Sequence, residues 1–196
     1  MSDMNLQATE QTIRVFADQV AGQDHAMAGA VIAASGAQAA ALGQACLQIT
    51  LVHQAQALDR NDVGSLVEQL AKIKGSLADW CDRDAVAIAE FVALREAGQT
   101  LRGQKLLCDA PAQVGRLCLN AANILQSCRP VVSERVADDL EMSLTLLAGA
   151  AQAAMLLLDS NLRLWPEKEL LEKYEPVRAE LTQQIRQLTP VTRIRE

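Results

Sequence analysis

Two pairs of carboxylates are the residues best suited to proton transfer. Asp82 and Asp84 flank Arg83 in WCDRDAVAI, and Asp138 and Asp139 are adjacent in RVADDLEMSL. A carboxyl group held in a pocket can act as general acid or base. At a helix N-terminus the same group is first of all a cap, stabilised by the helix dipole. Asp139, just before an apolar run, carries both readings. The two histidines, His25 and His53, are far apart and neither has a clustered metal-ligand partner, so no metal is expected. The cysteines (Cys46, Cys81, Cys108, Cys118 and Cys128) include no CxxC. Cys108, Cys118 and Cys128 recur every ten residues, a step that turns an ideal helix about 80° short of three full turns. They share no face and read as packing residues. Phosphate loops, dinucleotide fingerprints, nucleophile elbows and HExxH are all absent from the sequence.

The elements that must position these groups read as helices. Thr9 to Val20 is amphipathic, with Ile13, Phe16 and Val20 on one face, and Gly22 ends it. Ala26 to about Leu58 is a long helix of small residues. Asp59 to Asp62 forms a turn, with Asn61 or Asp62 as the next N-cap. Leu66, Leu70, Ile73, Leu77 and Trp80 then mark a helix that continues through Ile88 and Phe91. A looser connection begins at Ala97-Gly98-Gln99. Pro111 opens a helix reaching about Cys128, and Pro130 breaks the chain again. Asp138 and Glu141 read as a capping pair before Met142 to Leu158, and Asp159-Ser160-Asn161 closes that run. Pro166 and Glu167 begin a final charged helix that ends before Pro190. The pattern predicts an all-α protein, an antiparallel bundle of about six helices in one domain over residues 1–196.

Gly29, Ala33, Gly36, Ala40 and Gly43 fall on one stripe of the long helix. Glycine inside a helix costs about 0.5–1 kcal/mol relative to alanine, so a close contact must compensate. The stripe receives either a neighbouring helix of the bundle or the same helix of a second subunit.

Composition narrows the function classes. The chain is 50% hydrophobic but only 3% aromatic, so Ala, Leu and Val must fill its core. Its net charge of −6 lacks the cationic footprint of a nucleic-acid binder. The polar, acidic start MSDMNLQATEQ is unlike a signal peptide. With unpaired cysteines, this predicts a cytoplasmic protein. Ala26 to Val52 is long enough to span a membrane and Met142 to Leu158 is near the lower length limit, but glutamine, serine and threonine interrupt them. They read as the middle of a bundle, with no membrane partner.

Several segments together resemble the cyclodeaminase and methenyltetrahydrofolate cyclohydrolase family. These helical folate enzymes include the C-terminal domain of formiminotransferase-cyclodeaminase. The helix TIRVFADQVA leads into SGAQAAALGQACLQIT. WCDRDAVAIAEFV is similar to the family's D-x-D-A-x-A segment, through Asp82, Asp84, Ala85 and Ala87. Asp109-Ala110-Pro111 stands at the family's Asp-Val-Pro, and RVADDLEMSLTLLAGAA at its N-x-I-S-D-A-G stretch, keeping the aspartate as Asp139. Three places depart from the pattern. Ala26 to Ala30 keeps only Gly29 of a proline-glycine-rich turn. Val52 to Gln56 has no lysine where the family has a run of them. Of a later asparagine pair, Asn161 remains and Leu157 holds the other place.

The resemblance implies a tetrahydrofolate derivative as substrate, no metal, and a homodimer or larger assembly. It implies ammonia loss from 5-formiminotetrahydrofolate or water addition to 5,10-methenyltetrahydrofolate. Asp139 would transfer the proton and His53 would replace a lost lysine, with Gly29, Asp84 and Asn161 as ligand-binding residues. Arg116, Arg129 and Arg135 are candidates to meet the acidic tail of a folate. Two other readings stay open: a family relative that binds a ligand or partner protein without turnover, and an unrelated bundle made similar by its alanine-rich composition.

Overall fold

The computed structural model describes residues 7–23, 27–53 and 60–191, the side chains of residues 60 and 61 excepted. Among them are six α-helices and no strand: α1 (Ile13–Ala21), α2 (Ala28–His53), α3 (Arg60–Glu96), α4 (Thr100–Cys128), α5 (Ala137–Leu164) and α6 (Lys168–Arg186). The architecture is the antiparallel bundle expected. Helices α2, α3, α4 and α5 pack around a square, each against the next and α5 back against α2. Helix α6 lies across α4 and α5, and a short 3-10 turn, Ala8–Glu10, rests on α3.

Several ends follow from local chemistry. The Thr12 hydroxyl accepts from the Val15 N–H at 3.3 Å and caps α1. Gly98, at φ +74°, ends α3. Its N–H reaches the Arg95 carbonyl at 3.0 Å and the Gln99 N–H reaches that of Leu94 at 2.7 Å. This is the Schellman arrangement that glycine permits, and α4 starts immediately afterwards.

Other boundaries differ from the sequence reading. Helix α2 runs from Ala28 and the described part ends at His53; Gln54 to Asp59 lie outside the described residues. Helix α3 already includes Asn61 and Asp62, so neither precedes it as a cap. Pro111 lies in the middle of α4 rather than at its start. Helix α5 passes through Asp159-Ser160-Asn161 to Leu164. Its N-cap is Val136, without a side-chain bond, so Asp138 and Glu141 do not form the expected capping box. Glu141 instead pairs with Arg129, both its oxygens at 2.8 Å from the guanidinium. That bidentate pair ties the end of α4 to the start of α5.

The glycine stripe is an internal packing surface. A Cβ on Gly36 would stand 2.6 Å from Cys118 Sγ on α4. One on Gly43 would stand 2.4 Å from Leu125 and 2.9 Å from the Ser143 hydroxyl, which itself donates to the Ala39 carbonyl at 2.7 Å. The stripe therefore admits neighbours from within the chain, Cys118 among them, and all five cysteines are buried. Helix α2 and the Glu134–Leu164 stretch are long and apolar enough to cross a membrane, but 44% and 50% of their apolar windows are buried in the bundle. Those halves are core.

Candidate functional site

Asp84 points from α3 at the N-terminus of α2. Its Oδ2 accepts the Ala30 N–H at 2.7 Å, one of the donors that the first turn of a helix leaves without an internal partner. Gly29 makes this approach possible. A Cβ there would stand 2.2–2.5 Å from the Asp84 carboxylate. Burial raises the Asp84 pKa above the ordinary carboxylate value, and the Ala30 N–H opposes part of that rise. Asp82, two residues earlier, faces elsewhere, since two helical steps turn about 200°. It accepts from the Thr9 N–H at 2.9 Å and the Thr9 hydroxyl at 2.8 Å, which fastens the chain's first described turn to α3.

Asn161 reaches the same place from α5. Its Nδ2 donates to the Leu107 carbonyl at 2.8 Å. Leu107 is the residue four before Pro111, so its carbonyl has no helical N–H to receive. Asn161 supplies the missing donor, which is how proline is accommodated inside α4.

Gly29, Asp84 and Asn161 line one cleft of about 360 Å³, within the range of small-molecule sites. Its walls are apolar and include Ile88, Phe91, Leu107, Leu157 and Trp165. The Phe91 and Trp165 rings lie 5.5 Å apart and tilted by 35°. Gly103 lets Phe91 seat against α4, because a Cβ there would meet the ring at 2.8 Å. Asp84 contributes the charge in this lining. A planar heterocycle with N–H donors suits such a cleft: the rings offer a stacking surface and the carboxylate an acceptor.

The other two candidates lie at the far end of the bundle. His53 is exposed at the end of α2, about 36 Å along the helix from Gly29 at 1.5 Å per residue. Asp139 is half-buried at the start of α5, about 33 Å along the helix from Asn161. It is close to Cys46, whose thiol is pushed up to about 11 by burial and then by the Asp139 charge. The fold thus gathers Gly29, Asp84 and Asn161 and separates them, within one chain, from Asp139 and His53. His25 is outside the described residues. Arg116 and Arg135 are exposed, Arg129 is committed to Glu141, and none of the three lines the cleft.

The sequence reading did not single out the Phe91–Trp165 pair or a second polar cluster. In that cluster Tyr174 OH donates to Asp109 Oδ1 at 2.7 Å and Lys173 Nζ reaches the same oxygen at 3.0 Å. Burial, then the bond to Asp109, pushes the tyrosine pKa up. The cluster fastens α6 to α4. The signal available in sequence was Asp109 beside Pro111, but its partner is 65 residues away.

Among curated proteins none is significantly similar to this chain. The solved structure of formiminotetrahydrofolate cyclodeaminase from Thermotoga maritima matches it with a TM-score of 0.82 at 19% identity, over 92% of each chain. That likeness carries the fold. A family model described as formiminotransferase-cyclodeaminase matches residues 12–180, which take in all six helices but the last turns of α6. This chain therefore belongs to the formiminotransferase-cyclodeaminase family.

Proposed function

We propose that this protein acts on a tetrahydrofolate carrying a one-carbon unit, with the heterocycle in the Gly29–Asp84–Asn161 cleft and Asp84 as acid/base. The observation that carries the reading is the placement of Asp84. A carboxyl group with its pKa raised by burial stands in an apolar, aromatic-walled cleft of heterocycle size. In the deaminating direction, N10 of 5-formiminotetrahydrofolate bonds to the formimino carbon, and the C–N bond to the imino nitrogen breaks. The leaving nitrogen needs two protons to depart as ammonia: N10 releases one as it bonds to the formimino carbon, and the Asp84 carboxyl supplies the other, leaving the methenyl cation and a carboxylate. In the hydrolytic direction, water adds to the bridge carbon of 5,10-methenyltetrahydrofolate and the carboxylate accepts its proton.

Two observations favour a second reading, binding without turnover. Asp84 is already engaged by Ala30, and no lysine or arginine is among the described residues that line the cleft. Titration with 5,10-methenyltetrahydrofolate, following binding and the loss of its near-ultraviolet absorbance, separates the two. For the enzyme, Asp84→Asn keeps an acceptor for Ala30 and lowers turnover about 10²–10⁴-fold. Undiminished turnover in that variant refutes the assignment of Asp84. Binding with no turnover in the unaltered protein selects the second reading.

A further inference from the structure

The turn between α5 and α6, Trp165-Pro166-Glu167, completes the wall of the cleft. Pro166 has no N–H with which to continue α5, and it keeps the residue before it out of the helical region. Trp165 stands at φ −129° and ψ 79°. The turn is tied at both ends. The Trp165 N–H reaches the Asn161 carbonyl at 3.0 Å, and its ring lies against Phe91. Glu167 is the N-cap of α6, yet its side chain makes no capping bond there. Its Oε1 accepts instead from Gln104 Nε2, on α4, at 2.8 Å.

Gln104 is 4% exposed. Burying an amide costs free energy unless it is bonded, and Glu167 supplies the acceptor. Gly103, Gln104 and Leu107 lie within one sector of α4 about 100° wide. Gly103 seats Phe91, Gln104 holds Glu167, and the Leu107 carbonyl holds Asn161. One face of α4 thus supports the cleft wall from three elements at once.

We propose that Gln104 is a positioning residue of the cleft: by holding Glu167 it fixes the turn, and with it the Trp165 ring, as the wall beside Phe91. Gln104 itself does not line the cleft. Without it the exposed Glu167 carboxylate returns to water and that end of the turn is released. The next residue, Lys105, pairs with Glu169 in the first turn of α6. That ion pair docks α6 but does not touch the turn. The hold on Trp165 is independent of any ligand; its effect on binding rests on the folate reading of the cleft.

Trp80→Phe leaves Trp165 as the sole tryptophan of the full chain. In that background, acrylamide quenching of the ligand-free protein reads how well the Trp165 ring is shielded. Gln104→Leu and Glu167→Ala are each expected to raise the quenching constant. Together they should raise it no further than either alone, because both remove the same bond. Glu167→Gln keeps an acceptor and should stay near the parent value, and Lys105→Gln should leave Trp165 unchanged. Additive effects, an unmoved constant in Gln104→Leu, or an equal rise in Lys105→Gln overturns the proposal. Losing a hydrogen bond to a charged group shifts an equilibrium about tenfold, so Gln104→Leu should raise the Kd for 5,10-methenyltetrahydrofolate by up to about that factor. Where turnover occurs, KM should rise with kcat unchanged, since the ring meets ground and transition states alike. An unchanged Kd beside raised quenching overturns the role in the site. If the unaltered protein binds no folate while the quenching pattern holds, the folate reading fails and the hold on Trp165 stands. If it binds folate and the quenching constant does not move, the reverse is true.

Discussion

Gly36 and Gly75 both lie inside helices, yet adding one methyl group to each has opposite expected effects. At Gly36 the new carbon meets Cys118 Sγ at 2.6 Å and Leu77 at 3.4 Å, both fully or almost fully buried. Overpacking of this kind costs about 1–3 kcal/mol. Gly36→Ala is therefore expected to lower the melting temperature by about 2–4 °C per kcal/mol. At Gly75, on the exposed face of α3, nothing lies within 4 Å. Gly75→Ala should stabilise by about 0.5–1 kcal/mol, the helix-propensity gain alone. Two thermal melts decide the pair; equal shifts would contradict the packing described for the stripe. Asp84 gives a pH-dependent prediction. Its pKa is raised in the folded state, so the native protein holds that proton more tightly than the unfolded chain does. The contribution to stability is present below the ordinary carboxylate pKa and is lost as pH rises through the folded value. Asp84→Asn removes this loss. Urea unfolding of both proteins between about pH 4 and pH 7 should show the variant gaining on the unaltered protein as pH rises; a constant difference would contradict the burial argument.

Helix α4 shows how an element can violate its own local signals. Proline normally starts or breaks a helix, and Pro111 read alone predicts a start. The helix passes through it because Asn161, on α5, bonds the Leu107 carbonyl that proline leaves without a donor. The two residues are therefore energetically coupled. Asn161→Ala should cost about 1–3 kcal/mol by leaving a buried carbonyl unpartnered. In a Pro111→Ala background the restored N–H reaches Leu107, and the same change should cost less by about 1 kcal/mol. A double-mutant cycle in urea measures the coupling, and additivity would remove the explanation for the continuous helix. The remaining helix boundaries divide in the same way. Gly98 ends α3 through its positive φ, a local property visible as glycine, whereas Gly22 ends α1 at φ −92°, a conformation open to any residue. Glu141 looked like a capping residue, but a long-range partner, Arg129, takes its carboxylate.

At the scale of the molecule, the cleft joins α2, α3, α4 and α5, and the prediction that belongs here concerns distance. His53→Ala, at the far end of α2, should leave binding of 5,10-methenyltetrahydrofolate unchanged while Asp84→Asn alters turnover. A change in the dissociation constant with His53→Ala would place His53 at the site. By itself the sequence determined the helical class, most of the helices, the buried stripe and the family pattern, because periodicity, propensity and glycine spacing are local and accumulate over long segments. It also identified Gly29, Asp84 and Asn161 as ligand-binding candidates, through resemblance, without indicating that they meet. Tertiary structure alone decided that these three share one cleft, that Asp139 and His53 occupy the opposite end of the same chain, and that Phe91 and Trp165 form its wall. The physical reason is that each of these facts depends on how helices far apart in sequence are aligned along their axes. That alignment is set by the packing of the whole bundle, and no local residue pattern records it.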